Sequence, residues 1–189
     1  MEKIITLFQR NYETDRLVRD EVTPGAEWVI DGEGVPTRKL DGTSALVRGG
    51  KLYKRYELKR GKPAPLDFEP AQEPDSVTGD TPGWVPVTDA PEDRWHREAW
   101  DNANHALPDG TYELLGPKVQ GNAEHLEAHQ FVPHGKELLR DVPRDYAGLK
   151  HYLASHEVEG IVWWRNRADP ACAKVKLKRK DFGLPWPLR

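Results

Sequence analysis

Lys39-Leu-Asp-Gly42 sets an amine, a carboxylate and a glycine within four residues, a combination able to carry nucleophilic chemistry. A lysine amine attacks an electrophile only when deprotonated, so its pKa must be drawn down from about 10.4 by nearby cations and partial burial. If the segment is extended, Asp41 projects to the same side as Lys39, where its carboxylate can orient the amine or a metal-bound water. Gly42 lets the backbone pass close to a ligand. The same four residues also make an ordinary charged turn between strands, so the chemical reading depends on the residues that accompany them.

Four further charged sites stand downstream in otherwise strand-like segments: Arg55 in YKRY, Glu113 in YELLG, Glu159 in EGIVWW, and Lys174 with Lys176 in AKVKLK. Each has a bland reading: a solvated strand charge for Arg55, a strand cap for either glutamate, and for the basic run a solvated edge that discourages strand pairing. Strand alternation nevertheless puts Lys174 and Lys176 on one face. The 15 residues from Glu159 to Lys174 suffice for two adjacent antiparallel strands and their connection, so both could face one pocket. His125 and His129 have the i, i+4 spacing of a helical zinc pair, but the sequence is not HExxH and no third ligand is evident. His151 and His156 fit the surface of a helix. Trp163 and Trp164, adjacent on a strand, must point to opposite faces, one into a core and the other towards a ligand. Cys172 has no partner motif and reads as a small packing residue.

The elements that must position these groups are short. KIITLFQRNY and EWVI are predicted as strands, and Ser44–Tyr56 as a hairpin turning at Gly49-Gly50, which puts Lys39 just before a hairpin. From Lys59 to about Asp93 the chain is dense in Pro, Gly, Asp and Glu, the composition of a surface insertion, broken by a small strand WVPV and tethered through Trp84 and Trp95. TYELLG and AHQFV read as neighbouring strands, residues 145–156 as an amphipathic helix, and EGIVWW and AKVKLK as two more strands.

Taken in this order, KLDG, the arginine, the aromatic-Glu pair, the EGhVh-like strand and the KxK-like strand resemble the covalent nucleotidyltransferases, which include DNA ligases, RNA ligases and capping enzymes. GTYELLGPKVQGN, EGIVWW and the closing KLKRKDFGLPWP are most similar to the small RNA ligase family that includes the vertebrate 5′-to-3′ RNA ligase. The resemblance implies an α+β nucleotidyltransferase core of two packed antiparallel sheets with flanking helices, ATP-grasp-like. It also implies ATP as substrate, Mg²⁺ or Mn²⁺ as cofactor, and RNA ends bearing 5′-phosphate and 3′-hydroxyl as partners. Under it Lys39 becomes the lysyl-AMP nucleophile, with Asp41, Gly42 and Arg55 about the nucleotide, Glu113 on the ribose hydroxyls and Glu159 with Asp41 on the metal. Lys174 and Lys176 would hold the α-phosphate, Lys176 favoured because it precedes Gly-Leu-Pro-Trp-Pro by seven residues. Only 13 residues follow Lys176, too few for the OB-fold that DNA ligases and capping enzymes append, so no OB-fold is expected. Competing expectations are a DNA ligase or GTP-using capping-type core, an enzyme moving AMP to a protein or small molecule, and a non-catalytic nucleic-acid-binding module.

Bulk composition bounds these readings. The chain's 189 residues predict a single domain, 37% hydrophobic with seven Trp, enough for a real core, while 16 Pro and 16 Gly predict many loops. With 28 basic and 31 acidic residues the net charge of −3 gives no global attraction to polyanions, so nucleic-acid contact needs a local patch and a basic binding module is disfavoured. One cysteine excludes an internal disulfide and suits a reducing compartment. The apolar run IITLF is too short for a signal-peptide core, and no run approaches the roughly 18 apolar residues of a membrane span. A cytoplasmic protein, monomeric and away from membranes, is the resulting expectation.

Overall fold

The computed structural model describes residues 2–169 and 171–188. The protein is mixed α+β, rich in sheet, and its backbone gathers into two compact units. One spans residues 4–40 and 135–189, the other residues 41–134 with the first residues of the chain.

The first unit begins with β1 (Ile5–Thr6), β2 (Phe8–Arg10), β3 (Val18–Val22), the one-turn helix α1 (Glu27–Ile30) and β4 (Val35–Lys39). EWVI is therefore helical, not the strand its aromatic and β-branched residues suggest. A single turn lets the adjacent Trp28 and Val29 both enter one core, whereas a strand would send them to opposite faces. The predicted strand over residues 3–12 is likewise divided in two at Leu7, which is fully buried.

In the second unit a hairpin of β5 (Thr43–Arg48) and β6 (Lys51–Leu58) turns at Gly49-Gly50 with Arg48 opposite Lys51. Both glycines have positive φ, 57° and 69°, as a two-residue type I′ turn requires. β7 (Glu69–Pro70), β8 (Thr81–Pro86), the helix α2 (Arg94–Asn102), β9 (Gly110–Leu115) and β10 (Gln130–Pro133) follow. Together they form a six-stranded antiparallel sheet ordered β10-β9-β5-β6-β8-β7. The Pro/Gly-rich stretch is thus partly sheet: β8 pairs with β6 over six residues and buries Trp84. Helix α2 is absent from the sequence reading. Its His96, Ala99 and Trp100, at i, i+3 and i+4, are its buried positions, and Ala99 and Trp100 pack on Val47, Leu52, Tyr112, Leu114 and Phe131 of the sheet.

The chain returns to the first unit with α3 (Tyr146–Ser155), β11 (Gly160–Trp164) and β12 (Lys174–Lys178). Asp145 caps α3 by accepting the Gly148 N–H at 2.8 Å, a cap of the kind that contributes about 1 kcal/mol. The four-stranded sheet runs β1-β12-β11-β4, and β2 pairs with β3 separately. The β1–β12 pair is parallel, so this sheet departs from the wholly antiparallel expectation. The long stretch of chain between residues 6 and 174 supplies the crossover that a parallel pair needs. β12 is interior to its sheet, so its lysines do not guard an edge. One face of β11 and β12, formed by Ile161, Trp163, Val175 and Leu177, is fully buried against Leu149 and Leu153 of α3 and Val29 of α1. Among the described residues no helix is long and apolar enough to cross a membrane.

Candidate active site

The face of the four-stranded sheet turned away from that core carries the lysines. Register fixes it: Gly160 of β11 stands opposite Lys39 on one side and Lys178 on the other, Val162 lies between Thr37 and Lys176, and Trp164 between Val35 and Lys174. With alternation this places Lys39, Lys174, Lys176 and Lys178 on one surface. Lys39 ends β4, and its Nζ lies 2.6 Å from Oε2 of Glu159, the residue immediately before β11. Glu159 is buried, 6% exposed, so this carboxylate is paired where it could not otherwise be solvated cheaply. Lys39 Nζ also donates to its neighbour's carbonyl, Leu40 O, at 3.3 Å.

Burial lowers the pKa of Lys176 to about 8, and the charges of Lys178 and Lys39 push it the same way. Lys176 and Lys39 are therefore close enough to act on each other electrostatically. Lys174 is occupied differently: its Nζ sits 4.4 Å from the Trp164 ring centroid and donates to Cys172 O at 3.0 Å. Trp163 is the fully buried core partner, while Trp164 lies on the lysine face and donates from Nε1 to Thr37 Oγ1 at 3.2 Å.

The other predicted residues belong to the second unit. Asp41 and Gly42 form a bend between β4 and β5, so the strand alternation invoked to put Asp41 beside Lys39 does not continue through them. The Asp41 N–H donates to Glu124 Oε1 at 3.3 Å and the Gly42 N–H to Glu113 Oε1 at 3.0 Å. A Cβ on Gly42 would lie 2.2 Å from Leu114 O and 2.8 Å from Glu113 Cγ, so this glycine is required by the close approach of β9. Glu113, 7% exposed, lies on the sheet face opposite α2 and receives His134 Nε2 at 2.7 Å and Ser44 Oγ at 3.4 Å on Oε2. Arg55 is opposite Trp84 in the β6–β8 register, with its guanidinium carbon 5.2 Å from the Trp84 ring. Burial lowers its pKa.

Lys178 in the first unit, and His134 and Ser44 in the second, are candidate residues that sequence reasoning missed. The period-two spacing from Lys176 exposes Lys178 to detection, but the Glu113–His134 pair spans 21 residues and depends on the β9–β10 register. His125 and His129 do not share a helix: His125 has φ 52° in a turn, while His129 is buried, bonds Glu98 Oε1 at 2.8 Å and stacks on Trp95. Among the described residues no three His, Cys, Asp or Glu side chains gather into a metal cage. A single buried carboxylate such as Glu159 suits Mg²⁺ all the same, because that ion is commonly held by one or two carboxylates together with substrate phosphates. No family model matches this chain, and no curated protein matches it.

Proposed function

We propose that this protein is an ATP-dependent RNA ligase that works through a lysyl-AMP intermediate on Lys39. The observation that carries the reading is the pairing of Lys39 with buried Glu159 on a sheet face shared with Lys176 and Lys178.

In the first step the Lys39 Nζ lone pair forms a bond to the α-phosphorus of ATP as the bond to the pyrophosphate oxygen breaks. The amine must first lose its proton to solvent, and a cation bound by Glu159 would release Lys39 from the ion pair that favours its charged form. Lys176 and Lys178 stabilise negative charge growing on the phosphoryl oxygens, and their own charges disfavour a third ammonium beside them. The family resemblance assigns the ribose hydroxyls to Glu113 and a phosphate of the leaving or incoming group to Arg55. Mg²⁺ or Mn²⁺ held by Glu159 would supply charge neutralisation of the triphosphate. AMP then passes to an RNA 5′-phosphate, and a 3′-hydroxyl displaces AMP to close the strand. Dividing the condensation through a covalent adduct replaces one difficult step by easier displacements.

Incubation with α-labelled ATP and Mg²⁺ or Mn²⁺ is expected to label the wild type and leave Lys39→Ala unlabelled. A nicked or hairpin RNA with a 5′-phosphate is expected to be sealed, with GTP and a DNA nick as the comparison arms. Label retained by Lys39→Ala overturns the reading, and labelling without any strand joining restricts it to AMP transfer.

A further inference from the structure

Glu113 is anchored more firmly than a solvent-facing strand carboxylate, and its anchors come from two places in the chain. Oε1 takes the Gly42 N–H from the bend before β5, and Oε2 takes His134 Nε2 from the end of β10. Two charge-assisted bonds from separate elements prevent the carboxylate from rotating, whereas either alone would leave it a pivot. Ser44 Oγ, at 3.4 Å, is the weak third donor and the one a stronger donor can displace.

His134 is committed to this contact. Its backbone N–H donates to Thr111 O at 3.1 Å, which pins the residue beside β9, and its side chain is 17% exposed. A carboxylate oxygen only accepts, so Nε2 carries the hydrogen. Nδ1 is buried with no hydrogen-bond partner among the described residues, so the Nε2 bond to Glu113 is the one hydrogen bond there that directs the ring.

We infer that His134 is a positioning residue that fixes Glu113 for recognition of a ribose diol, and so sets discrimination between ribo- and 2′-deoxyribonucleotide at the adenylylation step. This rests on the ligase reading. Two oxygens offer about four lone-pair sites. With Gly42 and His134 holding two of them, the rest point in fixed directions, and a sugar hydroxyl replaces the weak Ser44 donor. A loosened carboxylate would still attract a hydroxyl but would no longer require one at a given place.

The test measures lysyl-AMP formation by the full chain with ATP and with 2′-deoxy-ATP, at varied nucleotide concentration. His134→Gln keeps a donor near the Nε2 position, and His134→Asn places its donor near Nδ1, too short to reach Oε2. The Asn variant is expected to raise the KM for ATP about tenfold, the scale of one charge-assisted hydrogen bond, and to lose discrimination against 2′-deoxy-ATP with little change in maximal rate. The Gln variant is expected to stay near wild type in both. Melting temperatures monitor folding, and His134→Ser takes the place of an unfolded Asn variant. Unchanged KM and discrimination in His134→Asn overturn the inference while leaving the ligase reading intact, as does equal impairment of a folded Gln variant. A wild type that forms no adduct with either nucleotide overturns the ligase reading, and this inference falls with it.

Discussion

The charged faces of the two sheets hold charge in opposite ways. On the six-stranded sheet Glu113 is a finished site, a buried carboxylate bonded by a backbone amide, an imidazole and a hydroxyl. On the four-stranded sheet Lys39, Lys176 and Lys178 crowd one surface, and burial with like charge lowers Lys176 to about 8. The finished site is pre-organised for neutral donors such as hydroxyls. The crowded one carries an electrostatic cost, which a bound anion would offset.

Removing the carboxylate that steadies the crowded face breaks the contrast most severely. Glu159→Ala is expected to keep its fold and lose metal-dependent adenylylation by on the order of 10²–10³-fold, measured as label incorporation per minute. Normal turnover in that variant would mean that another carboxylate does the work.

Lys176→Met sharpens the contrast, because it is predicted to trade activity for stability. Adenylylation should fall by about 10²-fold. The folded chain holds the Lys176 proton less tightly than the unfolded chain does, since burial lowers the folded value from 10.5 to about 8. Its penalty is therefore absent above pH 10.5, grows as pH falls towards 8 and is complete below that. Chemical denaturation is expected to find the Met variant more stable at pH 7 by on the order of 1–3 kcal/mol, with the advantage disappearing as pH rises past 10. A destabilised Met variant at neutral pH would contradict the assignment of strain to this amine.

The mildest perturbation falls on the finished face. Gly42→Ala drives a methyl into Leu114 O and the Glu113 side chain, so a loss of about 1–3 kcal/mol in stability is expected from thermal unfolding. A neutral outcome would show that β9 can yield at this point.

Sequence reading captured the elements whose signals are local. The β5–β6 hairpin, α3 and the β11–β12 pair follow from paired glycines, helical periodicity and alternation, and their boundaries agree within a residue or two. Lys39 and Glu159, 120 residues apart, are named by motif order alone, and the pairing of β4 with β11 brings their side chains together. Short or nonlocal features escaped. Four residues of α1 cannot display a helical period, α2 lies in a stretch dominated by charged residues, and the parallel β1–β12 pair joins opposite ends of the chain. The bend at Asp41-Gly42 was hidden for a different reason. Its cause is Glu113, 71 residues downstream, which takes the amide that a continuing strand would have used.

The central claim is tested most directly by mass analysis of the intact protein after exposure to ATP and Mg²⁺ or Mn²⁺, followed by peptide mapping. One AMP adduct, acid-labile as a phosphoramidate and confined to the peptide containing Lys39, is the predicted result. No adduct, or an adduct on any other lysine, would contradict it.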